Sequence, residues 1–141
     1  MSAERFFLDT NVIVYSFDST APSKQKKARL LIDRALGEQC GVLSWQVIQE
    51  FLNVALRKFR KPMGTEDAEE FLRQVLMPLC EVLPSSALYT QALELVSETG
   101  YSWYDCLILA SAIDAGCKIL YSEDLQAGRL VSGLKIVNPF T

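Results

Sequence analysis

Four acidic residues of this chain lie next to strongly apolar segments. Asp9 directly follows a short apolar run, and Asp124 comes shortly after another, Ile119-Leu120-Tyr121. Glu50 falls within the apolar stripe of a helical segment, and Asp105 stands near the start of another. A carboxylate is costly to desolvate beside a core, and convergence of several on one hard divalent cation would offset that cost. The sequence therefore predicts a metal-dependent nuclease centre.

The sequence contains no histidine, which limits the catalytic mechanisms and metal sites that are possible. Its absence excludes the Ser/His and Cys/His nucleophilic mechanisms and the histidine-based zinc and iron sites. The four cysteines, Cys40, Cys80, Cys106 and Cys117, have no zinc-binding spacing, and we interpret them as reduced structural residues. Catalysis must therefore use carboxylates, hydroxyls, lysines or a metal ion held by oxygen.

Length and composition fit one globular domain covering residues 1–141. Half of the 141 residues are hydrophobic, which is enough for a substantial core. The chain has neither an apolar run of membrane-spanning length nor a basic stretch followed by an apolar signal core. We therefore expect a soluble, cytoplasmic protein that has no membrane partner.

Strand-like and helix-like hydrophobic periods alternate along the chain. The predicted strands cover residues 5–8, 41–44, 81–83, 118–121 and 135–137. The predicted helices cover residues 10–17, 23–36, 45–60, 65–76 with Thr65 as N-cap, the segment from just after Pro84 to 99, 102–115, and a short connection at 125–130. This alternation predicts an α/β fold with a parallel sheet and helices on both faces.

In such a sheet, ligands bind where the carboxyl ends of the strands meet. Asp9 and Asp124 follow two predicted strands, so both are expected at that edge. Thr10 and Asn11 add polar groups on the same turn as Asp9, and Ser122 points the same way as Asp124 if the chain stays extended. Each residue alone is a weak signal, so the prediction depends on their joint placement.

Each acidic residue also has a purely structural interpretation. Asp9 would cap the following helix, because aspartate accepts hydrogen bonds from the free amides at a helix start. Glu50 would form an ion pair with a nearby arginine such as Arg57 at the edge of the apolar stripe. Asp105 would take part in capping its own helix, and Asp124 would be a solvent-exposed turn residue.

Two basic clusters offer contacts for a nucleic acid, although the net charge is -3. Lys24 and Lys27 belong to the first cluster, and Arg57, Lys58 and Arg60 belong to the second. Such clusters would hold phosphates around an acidic centre. They are equally typical of a solvated helix face, because exposed lysine and arginine are ordinary on helices.

Three aromatic residues flank the predicted acidic centre. Trp45 precedes Glu50 on the same helix, and Trp103 and Tyr104 directly precede Asp105. In proteins that bind single strands, such side chains stack on unpaired bases. Large aromatic residues are more often part of the core, and we predict the core for these three.

Four short motifs resemble those of a known family. They are Phe-Leu-Asp-Thr-Asn at 7–11, Val-Ile-Gln-Glu-Phe at 47–51, Tyr-Asp-Cys-Leu-Ile-Leu-Ala-Ser-Ala at 104–112 and Tyr-Ser-Glu-Asp-Leu at 121–125. In order and spacing they resemble the PIN domain over essentially the whole chain. The sequence is most similar to the VapC-like toxin ribonucleases of type II toxin-antitoxin pairs.

The resemblance implies a fold, an activity and partners. The implied fold is a three-layer α/β/α sandwich with a mostly parallel central sheet of four to five strands. The implied activity is Mg²⁺- or Mn²⁺-dependent endoribonuclease cleavage of RNA in single-stranded or loop regions. The implied partners are a small antitoxin protein and a second copy of the chain in a homodimer. The implied catalytic and metal-binding residues are Asp9, Glu50, Asp105 and Asp124, with Asn11 and Ser122 as supporting polar groups. Thr10 is a further supporting polar group because of its place on the same turn as Asp9.

Two other function classes remain open from the residues alone. An aspartyl-phosphate enzyme would use Asp9 as its nucleophile, but Asn11 stands where the second acid of an Asp-x-Asp pair is expected. A non-catalytic RNA- or protein-binding PIN-like module would use its acids only to tune docking. Metal-dependent cleavage of RNA separates this module from the nuclease.

Overall fold

The computed structural model describes residues 4–141, and all of the following elements lie within that range. The strands are β1 (Phe6–Leu8), β2 (Gly41–Ser44), β3 (Cys80–Val82), β4 (Ile119–Tyr121), β5 (Leu130–Val131) and β6 (Leu134–Val137). The helices are α1 (Thr10–Tyr15), α2 (Pro22–Gly37), α3 (Trp45–Arg57), α4 (Thr65–Phe71), α5 (Met77–Leu79), α6 (Ser86–Thr99) and α7 (Trp103–Asp114), with a π-helical segment, Leu72–Leu76, between α4 and α5. None of the helices within this range combines the length and apolarity that crossing a bilayer requires.

The strands form one sheet in the order β3-β2-β1-β4-β6-β5. Neighbouring strands are parallel except for β5 and β6, which are antiparallel. The central strand β1 is fully buried, and its unbroken apolar sequence is typical of a parallel sheet covered on both faces. Leu8 pairs with Tyr121, so β1 and β4 end side by side and bring the residues that follow them to the same edge.

Helices cover both faces of this sheet. Because crossovers between parallel strands are right-handed, the connections from β1 to β2 and from β2 to β3 place α1 to α5 on one face. The connection from β3 back to β4 runs in the opposite direction, so α6 and α7 cover the other face. α6 packs along α7, which contacts β2 and β4, while α1 packs against α2 and α3. The predicted α/β/α sandwich with a mostly parallel sheet is confirmed.

Close packing and helix caps fix the backbone near the edge of the sheet. Gly41 at the start of β2 lies so close to α2 that an added Cβ atom would stand 2.1 Å from the Cβ of Ala35, so glycine is required there. Ser44 and Ser102 cap α3 and α7, because their hydroxyls accept hydrogen bonds from backbone N–H groups in the first turn. These caps determine where the helices that carry Glu50 and Asp105 begin.

The last part of the sheet differs from the prediction. The sheet has six strands rather than four to five, because β5 pairs with β6 across a tight turn at Ser132 and Gly133, which both have positive φ. The short helix predicted at 125–130 is wrong, since this segment contains turns and the first residue of β5. Gly128, with a φ of 85°, interrupts any helix there.

Three helical details also differ. The helix α3 ends earlier than predicted, at Arg57. Thr65 is the first residue of α4, and Gly64 occupies the N-cap position without a side-chain bond. The continuation of α4 changes to π-helical geometry at Leu72–Leu76, shortly before Pro78. Proline has no N–H to donate to the preceding turn, which explains why regular α-helical bonding stops at this point.

Candidate active site

Four polar side chains meet where β1 and β4 end, and we call them the Asp9 network: Asp9, Asn11, Ser122 and Asp124. The Ser122 hydroxyl donates to Oδ2 of Asp9 at 2.7 Å. The Nδ2 group of Asn11 donates to Oδ2 of Asp124 at 3.1 Å, and it also lies 3.3 Å from Oγ of Ser122 and 3.4 Å from Oδ2 of Asp9. Two stretches of chain that are far apart in sequence therefore form one hydrogen-bonded group.

The loop after β4 is anchored to α1 by the same side chains. Oδ1 of Asn11 accepts a hydrogen bond from the backbone N–H of Glu123 at 3.2 Å. The backbone N–H of Asp124 donates to Oγ of Ser122 at 3.2 Å. Ser122 is fully buried. Because Ser122 and Asp124 both bond to the Asn11 amide, they face the same side, as the alternation along an extended chain predicts.

Asp9 is the most enclosed of the four acids, with 9% of its surface exposed. Burial raises the pKa of its carboxyl from 3.8 to about 6, opposed by the hydrogen bonds from Ser122 and the Thr10 N–H and reinforced by the charges of Glu50 and Asp124. Asp9 also caps α1, because Oδ1 accepts from the Thr10 N–H at 2.8 Å. The capping interpretation is therefore correct, and the same residue lies in an acidic cluster.

Glu50 approaches the Asp9 network from α3. Its Oε1 accepts hydrogen bonds from Nε2 of Gln46 at 3.0 Å and from the Thr10 hydroxyl at 3.4 Å. The residue is exposed, so its carboxylate is in contact with solvent. Among residues 4–141, no ion pair joins it to Arg57, and the structural alternative offered for this acid is therefore wrong.

Asp105 is the least connected of the four acids. It is partly exposed in the first turn of α7, where its backbone N–H donates to the Ser102 hydroxyl. Its neighbour Tyr104 provides the link to the other acids, because Nε2 of Gln46 donates to the Tyr104 carbonyl oxygen at 3.2 Å as well as to Glu50. Sequence reasoning missed Gln46, although its place one turn before Glu50 on a helix is a signal for such a bond.

The oxygen atoms at this site are of the kind that bind a hard divalent cation. They are carboxylate, amide and hydroxyl oxygens, which Mg²⁺ and Mn²⁺ prefer. In the part of the chain that the structure describes, however, no three acidic, cysteine or histidine side chains are grouped as ligands of one ion. Thr10 bridges Asp9 to Glu50, and Asn11 bridges Asp9 to Asp124. Asp9, Glu50 and Asp124 are therefore joined through hydrogen-bonded bridges and not as a preformed ligand set, and the side chain of Asp105 takes no part in these bridges.

A second polar cluster lies beside the Asp9 network and was not predicted. Glu123 accepts a hydrogen bond from the Tyr15 hydroxyl at 2.8 Å and forms an ion pair with Lys24 at 2.6 Å. Lys24 and Tyr15 hold the pKa of the Glu123 carboxyl below its usual value. No spacing in the sequence signals this contact, because its members come from separate segments. Lys24, predicted to bind nucleic acid, is thus already bonded to a carboxylate.

The other predicted basic residues remain exposed. Lys27, Arg57, Lys58 and Arg60 are all on the surface, and none forms an ion pair within residues 4–141. Lys58 and Arg60 line a cavity of about 710 Å³ beside α1, together with Phe17. The second basic cluster therefore contributes to a concave surface.

The aromatic residues near the acids are not all part of the core. Trp45 is 44% exposed and Tyr104 is 66% exposed, so the core prediction is wrong for both. Trp103 is partly buried against the core, with its ring edge-on to Tyr89 at 5.8 Å between centroids. The side chains of α3 and α7 that flank the acids therefore present aromatic surface to solvent.

A mostly parallel α/β/α sandwich with acidic residues gathered at the carboxyl edge of its strands is the architecture of a PIN-like domain. The PIN domain family model matches residues 6–131. The chain belongs to the PIN domain family, which confirms the resemblance drawn from its four motifs.

Solved structures of toxin-antitoxin proteins share this fold. A toxin-antitoxin complex from Klebsiella pneumoniae aligns with a TM-score of 0.64 at 19% identity, over 94% of this chain and 96% of that chain. FitAcB from Neisseria gonorrhoeae aligns with a TM-score of 0.64 at 20% identity, over 96% and 98%. VapC20 from Mycobacterium tuberculosis, a sarcin-ricin loop cleaving toxin, aligns with a TM-score of 0.57 at 20% identity, over 84% and 89%. No curated protein sequence matches the chain.

Proposed function

We propose that residues 1–141 act as a single endoribonuclease domain that hydrolyses phosphodiester bonds of RNA with Mg²⁺ or Mn²⁺, as the toxin of a toxin-antitoxin pair. The observation that carries the proposal is the position of Asp9. A buried carboxyl whose pKa is raised to about 6, within the field of Glu50 and Asp124, is an expensive arrangement that a bound cation would stabilise. Membership of the PIN domain family and the fold shared with toxin-antitoxin proteins support the same function.

The proposed metal-binding residues are Asp9, Asp105 and Asp124, with Glu50 as a further candidate ligand. When bound, a divalent ion at this position would supply a water of lowered pKa and neutralise charge on the phosphate. The donor chemistry fits such an ion, because all four side chains offer hard oxygen. Mn²⁺ binding measured by calorimetry, with Asp9→Asn as the control, tests this part of the proposal separately from catalysis.

The chain's own residues have distinct proposed roles in the reaction. Ser122 and the backbone N–H of Thr10 fix the two oxygens of Asp9, so this carboxylate is held in one orientation. Asn11 orients Asp124 in the same way. Glu50 is exposed and hydrogen-bonded to neutral donors, which leaves it able to take a proton from an attacking water.

Hydrolysis by water predicts defined products and defined tests. The expected products carry a 5′ phosphate and a 3′ hydroxyl, and the RNA 2′ hydroxyl is not required as a nucleophile. Single-stranded and structured RNAs should be cut with Mg²⁺ or Mn²⁺, and cleavage should stop with chelator or in Asp9→Asn. A substrate with a single 2′-deoxy nucleotide at the cut site should still be cleaved. Products with cyclic phosphate ends would contradict the mechanism.

The proposed substrate is RNA in single-stranded or loop regions. VapC20, which shares the fold at 20% identity, is a sarcin-ricin loop cleaving toxin, and this supports a structured loop as one candidate target. Lys27, Arg57, Lys58 and Arg60 are proposed to hold phosphates, because they are exposed and free of ion pairs within residues 4–141. Mapping of RNA ends after induced expression identifies the target.

The proposed partners are a small antitoxin protein and a second copy of this chain. The fold shared with proteins solved in toxin-antitoxin complexes supports the first. A basic side chain of an antitoxin would bind the Asp9 network well, because it neutralises the same carboxylates that a cation does. A short neighbouring reading frame that blocks toxicity on co-expression tests the antitoxin, and sedimentation velocity tests the homodimer. A cytoplasmic location follows from the proposed substrate.

A second candidate function is a non-catalytic RNA- or protein-binding module. The observation that favours it is that no three acidic side chains are grouped as ligands within residues 4–141. If the protein binds Mn²⁺ and RNA but cleaves no RNA, the module is the better description. Cleavage that depends on both the ion and Asp9 excludes it.

A further inference from the structure

A small cavity opens between the first turns of α3 and α7 and the loop after β3. It has a volume of about 200 Å³. We call it the Trp45 cavity, and its aromatic and amide lining residues are Trp45, Gln46, Gln49, Tyr89, Trp103 and Tyr104. Within the described residues no charged side chain lines it, whereas the larger cavities beside α1 and α4 are lined in part by lysine, arginine or acidic residues. The volume is below the range for drug-sized ligands and suits one planar ring system.

The Trp45 cavity adjoins the acidic residues through one side chain. Gln46 lines the cavity, and its Nε2 donates to Glu50 and to the carbonyl oxygen of Tyr104. Tyr104, which also lines the cavity, directly precedes Asp105. A molecule that occupies the cavity would therefore contact a side chain that is bonded to Glu50 and a residue that directly precedes Asp105.

The orientation of the Gln46 amide is fixed by its neighbours. Both contacts of Nε2 are to acceptors, the Glu50 carboxylate and a backbone carbonyl, so this atom must be the donor. Oε1 is then the acceptor, and it is buried without a hydrogen-bond partner in the part of the chain that the structure describes. A buried acceptor with no donor is costly, so a ligand that supplies an N–H group would be favoured here.

We infer that the Trp45 cavity binds one unstacked nucleobase of the RNA strand whose neighbouring phosphate lies at the acidic residues. The inference rests on the proposed function and adds a subsite to it. The exposed rings of Trp45 and Tyr104 provide faces for stacking, which tolerates every base. The Gln46 amide provides an acceptor for a base N–H group, which favours some bases over others.

A second copy of the chain is the main competing occupant. An apolar side chain from such a copy would fill the aromatic part of the cavity, but it would leave Oε1 of Gln46 without a donor. The amide groups of Gln46 and Gln49 therefore match a base better than an apolar side chain, whereas Val82, Leu83, Pro84, Leu88 and Leu107 in the same lining would contact either occupant. The two occupants are separated by the experiment.

Intrinsic fluorescence offers a direct test, because the chain has two tryptophans and both line this cavity. Each of the four nucleoside monophosphates is titrated into the protein in the presence of chelator, with ribose 5-phosphate as the control that lacks a base. We expect saturable quenching by at least one nucleotide and none by ribose 5-phosphate. The single substitutions Trp45→Phe and Trp103→Phe then report which indole is quenched.

Variants locate the binding site. Tyr104→Ala should weaken nucleotide binding about 5- to 100-fold through loss of stacking, and Tyr104→Phe should restore it. Gln46→Met should reduce the preference among the four nucleotides. Leu30→Ala is the matched control, because Leu30 is an exposed apolar residue of α2, a helix that does not line the cavity. It should leave nucleotide binding unchanged.

Three results would overturn the inference. The first is that no nucleotide quenches the fluorescence, or that ribose 5-phosphate quenches it equally. The second is that a folded Tyr104→Ala variant binds nucleotides as the wild type does. The third is an emission shift that depends on protein concentration and prevents nucleotide binding, which would assign the cavity to a second copy. Failure of the proposed nuclease function can be distinguished from failure of the proposed base-binding subsite. If nucleotides bind but no RNA is cleaved, the nuclease proposal fails and the subsite stands, whereas cleavage without nucleotide binding removes the subsite alone.

Discussion

The two halves of the acidic site are built in different ways. The strand half is the Asp9 network, in which every side chain is hydrogen-bonded to another member and Ser122 is fully buried. The helix half consists of Glu50 on α3 and Asp105 on α7. Gln46 bonds Glu50 and the carbonyl oxygen of Tyr104 beside Asp105, and the Thr10 hydroxyl joins Glu50 to the strand half. The side chains of the strand half are therefore bonded to one another, whereas those of Glu50 and Asp105 share no bond within the described residues.

This difference follows from the elements that carry each half. The paired ends of β1 and β4 fix the backbone beside Asp9, so its carboxyl is buried. This burial raises the pKa of the carboxyl. The caps at Ser44 and Ser102 fix where α3 and α7 start, but Glu50 is exposed in the second turn of α3 and Asp105 is partly exposed in the first turn of α7. The strand half therefore contains a buried carboxyl that costs stability, whereas the acids of the helix half are exposed or partly exposed.

The largest expected effect comes from Asp9→Asn. This change should lower the rate of RNA cleavage by on the order of 10³-fold or more, because it removes the central charge of the site. At about pH 7 it should also raise the free energy of unfolding of the metal-free protein by roughly 1 to 3 kcal/mol, because a neutral amide avoids the desolvation penalty of the carboxylate. Cleavage assays and thermal denaturation in chelator measure the two effects.

Glu50→Gln is the matched substitution in the helix half. Activity should fall, but the free energy of unfolding should change by no more than about 0.5 kcal/mol, since the side chain is exposed. Equal stability changes in the two variants would show that the halves do not differ as described.

The pH dependence of stability sharpens the same contrast. The pKa of Asp9 in the folded protein is about 6, above the ordinary value of 3.8, so the folded state binds the proton more tightly than the unfolded state does. The protonated Asp9 carboxyl therefore contributes to the free energy of unfolding, and this contribution is fully present below about pH 4 and is lost as the pH rises through about 6. The melting temperature of Asp9→Asn minus that of the wild type, measured in chelator, should therefore increase between about pH 5 and 7.5.

Added Mg²⁺ provides the control for this prediction. At about pH 7.5 it should raise the melting temperature of the wild type more than that of Asp9→Asn, because a bound cation compensates the buried charge. A difference between the two proteins that stays constant with pH would mean that Asp9 titrates normally.

Asn11→Ala tests whether the rigidity of the strand half matters for activity. The amide is bonded to Asp124 and to the backbone of Glu123, so its loss frees the loop after β4. We expect activity or Mn²⁺ affinity to fall roughly 10- to 100-fold, the usual effect of removing a residue that orients a ligand. Calorimetry and cleavage rates measure it. Gln46→Ala, the corresponding change in the helix half, should lower Mn²⁺ affinity less.

The strand half was the easier half to predict from sequence. Asp9 directly follows one short apolar strand and Asp124 comes three residues after the end of another. Strand ends in a parallel sheet meet at one edge, so the local pattern was sufficient to place the two acids together. The alternation along the chain also put Ser122 and Asp124 on one side. These inferences need only the period of the elements and the parallel order of the sheet.

Other features of the structure depended on contacts that no local pattern encodes. The ion pair of Lys24 with Glu123 joins segments that are far apart in sequence, so a basic residue predicted for phosphate is bonded within the protein. The exposure of Trp45 and Tyr104 depends on how α3 and α7 pack against the rest of the fold, and large aromatic residues are usually buried. The strand β5 was missed because two residues and a tight turn give too short a period to detect.

The smallest effect is expected on the salt dependence of RNA binding by the basic residues. It distinguishes Lys24, which lies near the strand half, from Lys58, which lies at the end of α3. Lys58→Met should reduce the slope of log affinity against log salt for a single-stranded RNA by about 0.7, the value for loss of one phosphate contact. The double variant Lys24→Met with Glu123→Gln removes an ion pair of 2.6 Å and no net charge, so its slope should match that of the wild type. Fluorescence anisotropy with a labelled RNA in chelator measures both. A lower slope in the double variant would mean that Lys24 leaves Glu123 to bind phosphate, and the strand half would then be less rigid than its hydrogen bonds indicate.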